Sequence, residues 1–80
     1  MKYRVNQQVE TVWGVGKIIK RHENFYALEF LTMSPQEWLD RQLIPVKEEQ
    51  LNEPWYTVEM EDGCSWESES KLTCFDPINN

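Results

Sequence analysis

Histidine occurs once in the 80 residues, at His22, and cysteine only at Cys64 and Cys74. Three such side chains fall short of the four ligands that close a structural zinc site, so no metal or other cofactor is expected. One histidine also leaves little for nucleophile–base catalysis. His22 falls in an expected exposed turn at 22–24, and a cysteine or serine partner would have to come from far along the chain. No run nears the ~20 apolar residues of a membrane span, and residues 1–8 lack the apolar stretch of a signal peptide. A cytoplasmic protein is therefore expected, with both thiols reduced and buried. A disulfide would require residues 64 and 74 to lie on paired strands. Basic residues are scarce after residue 47. Lys71 stands there alone against nine carboxylates, whereas residues 1–47 carry seven Lys and Arg against five acids. The formal charge of −6 is thus an excess of the C-terminal half, which suits a basic partner on that side.

What the chain does have is aromatic side chains, four Trp, three Tyr and three Phe. Each buries roughly 150–250 Å², enough for a compact core without staples. It also has an internal echo. Residues 25–30 read Phe-Tyr-Ala-Leu-Glu-Phe and residues 55–60 read Trp-Tyr-Thr-Val-Glu-Met. Period-two alternation predicts a strand for each, with Tyr26, Leu28 and Phe30, and likewise Tyr56, Val58 and Met60, facing the core. Alternation also predicts a strand over 5–13, with Val9, Thr11 and Trp13 on one face. Gly14 and Gly16 then make a tight turn or bulge, and 17–21 forms the next strand. Asp62-Gly63 marks a hairpin turn between 55–61 and 64–67. Cys64 and Trp66 point the same way, and Leu72, Cys74 and Phe75 close the sheet.

Residues 33–43 break the strand pattern. Ser34, Pro35 and Glu37 form a capping box, with Met33 and Trp38 placed as a hydrophobic staple, so a short helix is predicted at about 35–42. Leu43–Val46 is read as an edge strand bearing Pro45, and Lys47–Leu51 as a polar turn.

Gly14-x-Gly16-x-Ile18, then Tyr26-x-Leu28-x-Phe30, then Glu48-Glu49-x-Leu51 follow one another within residues 5–51. This succession resembles the small SH3-like barrels in the broad sense that includes Tudor-like and KOW-like folds. The resemblance implies a mainly β barrel of about five to seven antiparallel strands with the helix at 35–42 inserted, one domain over 1–76 and a frayed tail at 77–80. It also implies a binding module or a subunit of a larger assembly.

The favoured reading is a non-catalytic protein-interaction module or accessory subunit. Its partner-binding candidates are aromatics that alternation leaves off the core face, Phe25 and Trp55, joined by Trp13, Trp38 and Glu59. Trp13, Phe25, Trp55 and Glu59 could also converge as a cage for a methylated lysine. Two alternatives stand beside this. An acidic inhibitor could mimic nucleic acid through Glu48, Glu49, Glu53, Glu61, Asp62, Glu67 and Glu69, provided that they line up. A nucleic-acid-binding barrel could use a basic patch of Lys17, Lys20 and Arg21, against the repulsion of the acidic half. No carboxylate falls in a clearly apolar run, so no acid–base pair of the kind that needs a buried carboxyl is expected.

Overall fold

The computed structural model describes residues 2–75, and the tail expected to fray lies outside them. Five strands form one antiparallel sheet: β1 (Gln8–Thr11), β2 (Gly14–His22), β3 (Trp55–Met60), β4 (Gly63–Ser68) and β5 (Thr73–Cys74). Their spatial order is β4-β3-β2-β1-β5. β4 and β5 each pair on one side only, so the sheet is open where the sequence suggests a closed barrel. No described helix is long and apolar enough to cross a membrane.

Two hairpins share one plan. Val12-Trp13 joins Thr11 to Gly14, and Glu61-Asp62 joins Met60 to Gly63. Each closing glycine has a positive φ, +126° at Gly14 and +136° at Gly63, a region that a Cβ disfavours. Gly16 serves another purpose. A Cβ there would lie 2.6 Å from Val58 Cγ1 and 2.7 Å from the Glu59 carbonyl oxygen, so only glycine lets β2 and β3 close at this point.

Both faces of the sheet are covered. Val58 and Tyr56 join Tyr3, Val9, Ile18 and Leu72 in one core, with Met60 packed against it. Trp55 joins Phe25 and Leu28 in a second core, completed by Phe30, Trp38, Leu39, Val46, Leu51 and Trp66. A bulge in β2 between Ile18 and Lys20 lets one strand serve both. The extra residue shifts the alternation, so Ile18 pairs with Val58 over the first core, while His22 pairs with Trp55 over the second.

Segment 23–54 spans the second face and departs most from expectation. Residues 25–27 form a 3-10 turn, so Phe25 is fully buried and Tyr26 is 67% exposed. The expected strand is thereby overturned; of its expected core face Tyr26 turns outward, while Leu28 and Phe30 pack into the second core. β2 and β3 pair directly, His22 opposite Trp55, which leaves residues 25–31 no strand between them. The predicted helix is present as α1 (Pro35–Asp40), somewhat shorter, with both capping-box hydrogen bonds formed. Leu43–Val46 is not a strand, and Leu43 is 85% exposed. The polar turn is a second short helix, α2 (Glu48–Leu51). Its buried Gln50 accepts from the Lys47 N–H at 2.7 Å and donates to Ser68 Oγ at 3.0 Å, tying the helix to β4.

Candidate functional site

Trp13 is the most exposed tryptophan, 61% open at the tip of the β1–β2 turn. Its backbone is nonetheless fixed. Thr11 Oγ1 accepts from the Trp13 N–H at 3.0 Å and donates to the Gly14 carbonyl, also at 3.0 Å. An exposed indole on a braced turn presents a large surface at little entropic cost.

The sheet curls enough for Trp13 and β4 to line one groove, although β3 lies between β2 and β4. This groove has a volume of about 440 Å³. Cys64, Ser65, Trp66 and Glu67 supply one wall, and Trp13, Trp38 and Gln42 the rest. α1 positions Trp38, and the Gln42 side chain donates to the Trp38 carbonyl at 2.9 Å, closing the end of that helix. Behind the wall the rings are linked. Trp66 lies 5.8 Å from Trp38 and 4.9 Å from Phe30, centroid to centroid. Trp38 in turn lies 5.8 Å from Phe25 and 5.9 Å from Trp55. Tilted and edge-on contacts of this kind hold rings in place, worth about 0.5–1.5 kcal/mol each beyond area burial.

Glu67 is the one acid placed among these groups and is only 8% exposed. Burial pushes its carboxyl above the ordinary value, outweighing the Ser65 hydroxyl and the Lys71 ammonium, which favour the anion. The expectation that no carboxylate would sit in an apolar setting is therefore corrected. The hairpin register held the signal. With Met60 opposite Gly63, Glu67 falls opposite the core residue Tyr56.

Phe25 and Trp55 are 0% and 2% exposed, covered by α1 and the chain before it, so neither offers a face to a partner. The Trp55 indole donates inward to the Gln50 carbonyl at 2.7 Å. The cage of Trp13, Phe25, Trp55 and Glu59 consequently does not form, and Glu59 is exposed, paired across the strands with Lys17. Trp13 and Trp38 do meet at one groove, joined by Trp66 and Glu67, which the sequence reading placed elsewhere. The basic trio is divided by the bulge: Lys17 and Lys20 share the face of Glu59 and Thr57, while Arg21 falls on the face of Tyr56. The acids are divided as well. Glu48 and Glu49 open α2, and Glu61 and Asp62 form the β3–β4 turn. Glu53 accepts from Ser70, Glu69 accepts from Tyr56, and Glu67 is buried, so three of the seven are engaged inside the fold.

His22 is not in an exposed turn. It ends β2, 8% exposed, with Nε2 2.9 Å from Thr57 Oγ1. Both cysteines are free and exposed rather than buried, on the two opposite edge strands. Among the described residues, no group of three His, Cys, Asp or Glu side chains comes together to hold a metal ion.

Fold and groove together define a small, mainly β protein with a tryptophan-lined, acid-bearing groove beside an edge strand. No protein-family model, curated protein or solved structure matches the chain.

Proposed function

We propose that the protein is a non-catalytic protein-interaction module or accessory subunit, and that it takes its partner in the groove between Trp13 and β4. The observation that carries this is Trp13 itself, an indole 61% exposed on a braced turn at the mouth of a groove floored by further tryptophans. Aromatic anchors of this kind carry a disproportionate share of binding energy at protein interfaces. The sheet adds support. A meander of four strands whose fifth returns beside the first leaves β4 as an open edge next to the groove.

The test is affinity capture from lysate with the wild type and Trp13→Ala, followed by quantitative mass spectrometry. The side chain is exposed, so the variant is expected to keep its melting temperature within a few degrees. A protein enriched by the wild type and lost with Trp13→Ala is the expected outcome. Identical captures from both would remove the groove from consideration.

A further inference from the structure

We propose that the free edge of β4 accepts an extended basic segment of a partner protein as an added strand, with a lysine or arginine side chain held against Trp13 and Trp66 at the edge that also carries Glu67. This rests on the groove being the partner site, and it specifies both how the partner binds and what its chemistry is.

Along its outer side β4 leaves backbone groups without a strand partner. Within the sheet, β4 pairs with β3 alone. In an antiparallel hairpin closed by a two-residue turn, the closing pair exchanges hydrogen bonds and every second pair repeats this. Met60 and Gly63 close the turn, so Ser65 and Glu67 face β3, and the Glu69 N–H continues the series by donating to the Pro54 carbonyl at 2.9 Å. The intervening residues, Cys64 and Trp66, therefore turn their N–H and C=O groups away from β3. An open edge of this kind is a template for another strand.

The groove runs along residues 64–67 and continues past Cys64 into a hollow of about 370 Å³ beside Glu61 and Asp62. At about 3.3 Å per residue, four residues of β4 give an added strand roughly 13 Å of edge.

The groove offers indoles, which attract cations over their faces, and the Glu67 carboxyl, while the hollow adds Glu61 and Asp62. A basic side chain meets favourable partners along the whole path. A second copy of the chain does not supply one, because its own β4 (Gly63–Ser68) brings Glu67 and no lysine or arginine to the edge. Two cations flank this edge without lining the groove: Lys71 lines the smaller cavity under residues 42–46, and Lys17 lines a separate hollow with Glu61, Gly63 and Cys64.

The probe is a blocked heptapeptide, Thr-Arg-Val-Lys-Val-Arg-Thr, set against a counterpart with Glu at the three basic positions. Binding is followed by amide NMR and hydrogen exchange on the full chain. The basic peptide is expected to bind at least about tenfold more tightly than the acidic one and to slow amide exchange at Cys64 and Trp66. Cys64→Pro deletes an outward N–H while sparing the ladder to β3, and is expected to weaken binding about tenfold. Glu67→Gln, near-isosteric, is expected to narrow the preference for the basic peptide and serves if the proline variant does not fold. Equal binding of both peptides, or unchanged exchange at residues 64 and 66, overturns the proposal. So does a dimer joined through β4 in sedimentation. If Trp13→Ala abolishes partner capture but Cys64→Pro does not, strand addition fails while the groove stands. If Trp13→Ala leaves capture intact, the groove itself fails.

Discussion

His22 shows how much one residue's surroundings can change its role. In an exposed turn an imidazole would titrate near its ordinary value of 6.5. Here burial lowers it first, and the Lys20 charge lowers it further, against a smaller pull upward from Glu29. The sign follows directly. The unfolded chain takes up a proton at about 6.5 and the folded chain only at lower pH, so stability falls as pH drops below about 6.5 and levels off once the folded form is protonated too. Urea midpoints measured from pH 7.5 to 5 are expected to decline, and His22→Gln is expected to flatten that decline. An unchanged slope in the variant would assign the decline to other groups. The bulge that turns His22 inward coincides with a break in the alternation: Lys17-Ile18-Ile19-Lys20 sets two apolar residues side by side where period two allows one.

The elements divide into those governed by neighbours in sequence and those decided by competition across the sheet. The start of α1 was legible because every group that makes it lies within four residues: Ser34 Oγ accepts from the Glu37 N–H at 3.2 Å, and Pro35 occupies the first turn. The β3–β4 hairpin and the core face of Tyr56 and Val58 were legible for the same reason. Residues 25–30 were not. Their alternation equals that of residues 55–60, but a strand needs a vacant neighbour, and 55–60 takes the edge of β2. Leu43–Val46 likewise has no partner strand. Half of the candidate site, Trp13 and Trp38, is among the aromatics the sequence offers as partner-binding candidates, although Trp38 is also expected to pack inward as a hydrophobic staple. Trp66 and Glu67 required the hairpin register to be carried through to the far end of β4. Since α1 holds Trp38 among four other rings, loosening its cap has a reach beyond the helix. Ser34→Ala is expected to cost about 1 kcal/mol and to weaken the near-ultraviolet dichroism of the tryptophans. A full loss of stability with an unaltered aromatic signal would place the cap's effect elsewhere.

At the scale of the molecule, the two cores meet at β3, and a short chain of hydrogen bonds locks the first of them. The Tyr3 N–H donates to Tyr56 Oη at 3.2 Å, and Tyr56 Oη donates to Glu69 Oε2 at 2.7 Å. The Lys2 N–H reaches the same carboxylate oxygen at 3.0 Å, and Tyr3 Oη donates to the Leu72 carbonyl at 2.9 Å. Removing the central hydroxyl strands the buried Tyr3 N–H, while Glu69 Oε2 keeps the Lys2 N–H. Tyr56→Phe is therefore expected to lose about 1–3 kcal/mol in guanidinium denaturation; a change under a few tenths would mean that water replaces the lost group. Burial, with Glu69 nearby, pushes the Tyr56 phenol above its ordinary 10.0 despite the Tyr3 N–H, so the wild type is expected to lose stability as pH rises past 10. The same ties bear on how the chain is made. Tyr3, Val9 and Ile18 leave the ribosome before the rest of their core, and Leu72, which completes it, follows more than fifty residues later. At roughly 5–20 residues per second, these side chains wait several seconds without their cover. No nascent fragment that stops short of Leu72 can close the first core, so this core is assembled only once residue 72 has been made, with the later segment setting the earlier one in place.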